Sequence, residues 1–265
     1  MTDLELDFMR HALTLARRGI GRTSPNPAVG CVIVSNGEIV GEGWHQVAGG
    51  PHAEIHALRD AGSQAMGADL YVTLEPCSHF GKTPPCADAV IKAGVARVFV
   101  GMKDPNPKVS GSGIEKLKSS GIEVITGLLE DECRSINLAF IKHVTTGIPY
   151  VTLKSALTLD GKTATTGGDS RWVTGEPSRR HVHAMRGISD AVMVGIGTVM
   201  ADDPQLTCRL EGGHDPIRVI IDSRLRVPVN AKIFNPDSSA RTIVATIADD
   251  PDKVRSITAL NAEVI

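Results

Sequence analysis

The run His52-Ala53-Glu54, followed by Pro76-Cys77 and then by Cys86, constrains this chain more than any other feature. One imidazole and two thiolates can hold zinc and leave the fourth tetrahedral position open, as catalytic rather than closed structural sites do. The fold must therefore carry Cys77 and Cys86 back to His52. Residues 52–61 read as a helix and 69–74 as a strand. Gly81, Pro84 and Pro85 keep 75–85 in a loop, and 86–93 read as a short helix stopped at Gly94. His52, at the start of its helix, points toward the loop that carries Cys77. Cys86 opens the following helix, where the positive end of the helix dipole favours a thiolate.

The flanking sequence organises around this core. Thr2-Asp3-Leu4-Glu5 is a capping box that opens a helix through about residue 18, with Leu4, Phe8, Leu15 and Ala16 on one side. Strands over 28–35 and 38–44 are joined by Asn36-Gly37, a strong two-residue hairpin turn. A strand over 95–101, a helix near 114–119, a strand over 123–125 and a helix near 128–143 follow. That alternation predicts an α/β fold, a three-layer α/β/α sandwich. Thr145-Thr146-Gly147-Ile148-Pro149 interrupts the pattern, dividing the chain into domains 1–146 and 150–265. The second α/β unit starts at 150–157. It continues with a helix near 178–186, strands near 191–194, 218–221 and 242–246, and a helix near 253–260. Glu263-Val264-Ile265 reads as the middle of a strand, so the second domain is expected to be C-terminally incomplete.

Bulk properties narrow the function classes. A 265-residue chain that is 42% hydrophobic and 22% charged suits two globular domains with real cores. A net charge of −2 leaves no electrostatic footprint for a nucleic-acid partner. The N-terminus lacks the basic start and apolar run of a signal peptide. No apolar stretch reaches the roughly 18–20 residues that span a bilayer. Five cysteines without a regular framework fit a reducing compartment, and a cytoplasmic location is expected.

His-x-Glu with a downstream Pro-Cys…Cys is the signature of hydrolytic zinc deaminases. Zinc lowers the pKa of a water from roughly 15.7 to about 7. Glu54 can accept that proton and deliver it to a ring nitrogen and then to the departing amine. Other readings carry less. His52 and His56 stand four apart, but the zinc-peptidase motif needs Glu directly after the first His, where Ala53 stands. A structural zinc site needs a fourth protein ligand, for which His79 and His56 are the candidates. Cys31, Cys133 and Cys208 read as small packed residues. His11, His143, His181, His183 and His214 read as surface or supporting histidines.

The interval between the cysteines discriminates among deaminases. Cytidine-type and nucleic-acid-editing enzymes carry Pro-Cys-x-x-Cys, whereas residues 78–85 separate Cys77 from Cys86 here. With Thr23-Ser24-Pro25-Asn26-Pro27-Ala28-Val29-Gly30, Gly43-Trp44-His45 and Gly50-Pro51-His52-Ala53-Glu54, this resembles the bifunctional deaminase/reductase family of riboflavin biosynthesis. Asp104-Pro105-Asn106-Pro107 and Gly111-Ser112-Gly113-Ile114 agree. So do Lys154-Ser155-Ala156-Leu157-Thr158-Leu159-Asp160-Gly161-Lys162, Ser170-Arg171-Trp172-Val173-Thr174-Gly175 and the run from Gly195 to Thr207.

The resemblance implies a cytidine-deaminase-like first domain and a dihydrofolate-reductase-like second. The first would deaminate 2,5-diamino-6-ribosylamino-4(3H)-pyrimidinone 5′-phosphate; the second would reduce the ribosyl group to ribityl with NADPH. It implies zinc ligands His52, Cys77 and Cys86, with Glu54 as the catalytic proton shuttle. It implies substrate contacts at Asn26, His45 and Lys82, and in the second domain at Ser170, Arg186, Leu206 and Arg209. Ala156, Trp172, Thr198 and Asp202 align with cofactor positions. Gly195-x-Gly197 is not a dinucleotide fingerprint, because no third glycine follows near Met200 and the strand-turn-helix setting is not expected. The family's later residues add a glycine-rich cofactor loop and an acidic substrate contact, so a chain ending at Ile265 is expected to be an intact deaminase with a weak or absent reductase. The partner is a small pyrimidine ribonucleotide, with neither nucleic acid nor membrane; a homo-oligomer is compatible with the resemblance. The alternatives are a zinc deaminase of another free base or nucleotide, and a zinc-stabilised nucleic-acid-binding module.

Overall fold

Asn36 and Gly37 both adopt positive φ, at 53° and 83°. Their turn folds β1 (Gly30–Ser35) against β2 (Glu38–Trp44). The computed structural model describes residues 2–79, 84–107, 109–170, 172–234 and 237–265. It divides into two units, Met1–Thr152 and Leu153–Ile265.

In the first unit β3 (Asp69–Leu74), β4 (Arg97–Met102) and β5 (Glu123–Thr126) complete a five-stranded sheet in the order β2-β1-β3-β4-β5. β1 is antiparallel to β2 and to β3, and β3, β4 and β5 run parallel. One face packs on α1 (Asp3–Arg17), through Phe8 against Tyr71 with ring centroids 5.3 Å apart. The other face carries α2 (Ala53–Ala61), then α3 (Cys86–Ala93) and α4 (Ser112–Ser119). Gly43 allows the close approach of α2: a Cβ there would stand 2.2 Å from the Ala53 carbonyl oxygen. This three-layer arrangement is the expected one. The capping box at Thr2 and Glu5 is also present, with side chain and backbone bonded in both directions.

The single helix expected over 128–143 is instead two, α5 (Glu130–Ser135) and α6 (Leu138–Thr146). Asn137 breaks it. Its side chain is buried, accepts the Ala28 N–H at 2.8 Å and donates to the Ala28 carbonyl at 3.0 Å. An amide turned inward to clamp another segment replaces the continuous helical ladder at that point.

The second unit holds β6 (Ala191–Gly195), β7 (Ile217–Ile221), β8 (Thr242–Ala245) and β9 (Ala262–Val264), all parallel and in that order. α7 (Glu176–Gly187) precedes β6, α8 (Ile196–Asp202) follows β6, and α9 (Pro251–Thr258) lies between β8 and β9. Ile196, Val199, Ile220, Val244 and Ile257 form its core. Among the described residues, 153–170 and 172–174 carry no helix or strand. One expectation is corrected: β6 runs directly into α8 with Gly195 as its N-cap, so a strand-to-helix turn does exist at Gly195-Ile196-Gly197. The third glycine is still absent. Sequence periodicity missed α8 because it is short and interrupted by Gly197. Among the described residues, no helix is long and apolar enough to cross a membrane.

Candidate metal centre and active site

His52 is the N-cap of α2, Cys77 lies just beyond β3, and Cys86 is the first residue of α3. Pro85 stands directly before α3, where its fixed φ is preorganised for the chain to enter a helix. The three side chains converge: their ligand atoms all lie within 4.8 Å of one another. His52 Nδ1 stands 3.2 Å from Cys86 Sγ and 3.6 Å from Cys77 Sγ. Zn–N and Zn–S bonds of roughly 2.0 and 2.3 Å at a tetrahedral angle give an N···S edge of about 3.6 Å. The set therefore fits zinc in donor type and in spacing. Among the described residues, neither His56 nor His79 joins the group.

The electrostatics suit a cation. Cys77 is held low, first by its hydrogen bond with Cys86, with further bonds to His52 and to the Cys86 backbone N–H acting the same way. Cys86 is pushed far up, first by the same bond to Cys77 and then by burial. A metal binds such thiols as thiolates, displacing their protons. The hydrogen bond to Cys77 raises His52. Glu54, in the first turn of α2 and 3% exposed, is pushed up to about 7, chiefly by burial. The Cys77 charge adds to that rise, while the Glu54 backbone N–H and His52 oppose it.

One of the expected substrate residues, His45, lies against this group, and a second, Asn26, is bonded to His45. Asn26 Nδ2 and His45 Nε2 are 3.1 Å apart, and His45 Nδ1 is 3.0 Å from the Pro51 carbonyl oxygen. The carbonyl can only accept, so Nδ1 carries the proton and Nε2 accepts from Asn26. The His45 ring meets His52 edge-to-face at 5.3 Å, and burial lowers its pKa. His45 thus packs on the metal group through His52 and is hydrogen-bonded to Asn26. Lys82 lies outside the described residues.

In the second unit, Arg186 and Arg209 meet around the buried Leu206-Thr207 backbone. Arg186 Nη1 donates to the Thr207 carbonyl at 3.2 Å, and Arg209 Nη2 donates to Gln205 Oε1 at 3.0 Å. Arg186 is lowered by burial and next by repulsion from Arg209. Thr198 and Asp202 lie on exposed positions of α8. Ala156 and Ser170 are half-buried in the 153–174 segment. Trp172 is exposed, with the Arg179 guanidinium 4.3 Å from its ring centroid.

Sequence reasoning missed two buried polar residues that build this site. Asn137 clamps Ala28, two residues from Asn26. Glu75, 4% exposed and directly before Pro76-Cys77, accepts four backbone N–H groups. A carboxylate ending an apolar strand was the signal available for Glu75; Asn137 gave none, because its partner is remote in sequence.

Comparison with known proteins agrees with this geometry. Residues 2–102 match the family model described as cytidine and deoxycytidylate deaminase zinc-binding region, and residues 149–265 match the RibD C-terminal domain. The chain is 46% identical over 265 residues to the riboflavin biosynthesis protein RibD of Actinobacillus pleuropneumoniae, covering 100% of this chain and 70% of that protein. It is similar to the solved structure of Acinetobacter baumannii RibD, with a TM-score of 0.89 and 46% identity, covering 99% of this chain and 73% of that one. A Thermotoga maritima structure, described as a diaminohydroxyphosphoribosylaminopyrimidine deaminase/5-amino-6-(5-phosphoribosylamino)uracil reductase, matches with a TM-score of 0.88 and 46% identity, covering 98% and 73%.

Proposed function

The chain belongs to the RibD family of riboflavin biosynthesis proteins, and from that premise we propose how its residues divide the two reactions of the family. Residues 1–146 form the zinc-dependent deaminase domain and 150–265 the NADPH-dependent reductase domain. The first acts on the diamino-hydroxy-pyrimidine ribosylamino 5′-phosphate. The second reduces the ribosyl group of the deaminated product.

The observation that carries the deaminase assignment is Glu54 buried beside the convergent His52, Cys77 and Cys86. When bound, zinc makes water acidic enough to be a nucleophile at neutral pH. Glu54 takes a proton from the attacking water as the new C–O bond forms at the amino-bearing carbon. It passes that proton to the adjacent ring nitrogen, then takes the second from the new hydroxyl and gives it to the amine as the C–N bond breaks. A carbonyl and ammonia leave. A carboxyl poised near 7 suits this double duty, since it can both take and give a proton at neutral pH. Asn26 and His45 hold the pyrimidine ring against the metal group, and Lys82 meets the phosphate.

In the second domain Arg186 and Arg209 take the phosphate by charge-assisted hydrogen bonds, with Ser170 and Leu206 completing the substrate side. Ala156, Trp172, Thr198 and Asp202 take NADPH. The free state of all five cysteines supports a reducing compartment, the cytoplasm.

The deciding experiment measures ammonia release from the diamino-pyrimidine ribonucleotide by zinc-loaded parent and Glu54→Gln, with bound zinc quantified in both. The expected result is a loss of about 10²–10⁴-fold in the variant at unchanged zinc content. Equal rates would remove Glu54 from the mechanism. No release by zinc-loaded parent would sink the substrate assignment.

A further inference from the structure

The segment Gly111-Ser112-Gly113-Ile114 opens α4 with backbone N–H groups turned to one point, which is how helix starts and glycine-rich turns hold anions. The anion there belongs to the protein. Glu75 Oε1 accepts from Gly113 at 2.9 Å and Ile114 at 3.3 Å; Oε2 accepts from Gly111 at 2.9 Å and Asp104 at 3.1 Å. The carboxylate is thus occupied on both oxygens by the 104–114 segment, while its own N–H continues the sheet to the Met102 carbonyl at 3.0 Å.

Two residues further on is Cys77. Its Sγ accepts from the Cys86 N–H at 3.3 Å, and its carbonyl accepts from Ala87 at 3.1 Å. The loop that carries it is pressed on α4 a second time. A Cβ at Gly113 would stand 1.9 Å from the Pro76 carbonyl oxygen, and Ser78 Oγ is 2.7 Å from Ser112 Oγ. The metal-bearing loop and the start of α4 therefore form one body around a single buried carboxylate.

We propose that Glu75 is the positioning residue for Cys77. By satisfying the amides of Asp104, Gly111, Gly113 and Ile114, it holds the Pro76-Cys77 turn so that the sulfur faces His52 and Cys86. The proposal rests on reading those three residues as the zinc site. It also means that the Gly111–Gly113 cradle is filled from within and is not where a substrate phosphate sits.

Glu75→Gln is the matched test. The amide keeps size and shape but presents an NH₂ to two of the four N–H donors, so half the cradle loses its acceptor. Zinc affinity of the full chain is measured by competition with a chromogenic chelator, and the thiolate-to-metal absorption of the cobalt-loaded protein is recorded. The parent is expected to bind one metal per chain and the variant to bind it about 10–100-fold more weakly, with an altered cobalt–thiolate band. Affinity within twofold of the parent and an unchanged band would overturn the proposal. A parent that binds no zinc would instead overturn the metal site itself, and the proposal with it.

A second measurement needs no variant. Coupling is reciprocal, so removing zinc from the parent must loosen the four amides by the factor that losing the cradle costs the metal. Amide exchange at Asp104, Gly111, Gly113 and Ile114 is expected to accelerate on chelation, relative to amides of α1. Exchange at those four that is indifferent to zinc would also overturn the proposal.

Discussion

Asn137 and Ala28 are bonded through both groups of one backbone unit, an amide side chain matching a peptide N–H and C=O. Asn137→Leu keeps the volume but strands both groups in a buried setting, at about 1–3 kcal/mol for each one left unpaired. Urea unfolding should report that loss. Because Ala28 leads back to Asn26, KM for the pyrimidine nucleotide should rise more than kcat falls. Tyr71 gives a pH test remote from the metal group. It stacks on Phe99 at 4.4 Å, and burial, with help from the Asp69 charge, pushes its phenol up to about 12 from an ordinary value of 10.0. A folded-state pKa above the unfolded one means that this stabilisation is fully present below pH 10 and is lost as pH climbs toward 12. The parent's unfolding free energy should therefore fall more steeply over pH 10–12 than that of Tyr71→Phe, by at most about 1.4 kcal/mol per pH unit for one proton. Equal slopes would show that Tyr71 does not contribute this linkage.

At the level of elements, the position of α2 decides whether the site exists, since it carries both His52 and Glu54. β2 receives that helix through Gly41 and Gly43, where added Cβ atoms would stand 2.4 and 2.2 Å from the Ala57 and Ala53 carbonyl oxygens. Gly43→Ala must push α2 off the sheet at the turn next to His52. Overpacking of this kind costs about 1–3 kcal/mol. A lowered Tm together with weakened zinc binding is expected. A lowered Tm with parental zinc affinity would mean that the helix shifts without moving His52. The break between α5 and α6 belongs to the same scale: the chain is helical on both sides of Asn137, and its remote partner at Ala28 divides the run.

At the scale of the molecule, each unit has its own core among the described residues, one drawn from Phe8 to Cys133 and the other from Ile196 to Ala262. His52, Cys77 and Cys86, which could hold a metal, and Glu54 all lie within Met1–Thr152. Residues 1–152 expressed alone are expected to unfold cooperatively, to bind one zinc per chain, and to lose thermal stability when zinc is chelated, since a ligand that binds only the folded state stabilises it. A fragment that stays unfolded with zinc present would show that the deaminase half depends on the rest of the chain.

Much of this protein is determined locally. The capping box at Thr2, the Asn36-Gly37 hairpin and the strand-loop-helix sequence around Cys77 and Cys86 all rest on residues close in sequence. Short-range sterics and hydrogen bonding suffice to specify them. So does the chemical class, because zinc chooses its donors by type. Only the tertiary structure decided which buried polar groups serve the site. Glu75 and Asn137 act on backbone amides and carbonyls 29 to 39 and 109 residues away, and backbone groups leave no mark in a sequence. Tertiary packing also set Glu54 near neutrality, because that shift comes chiefly from burial. Burial is a property of the packed layers and not of any one segment.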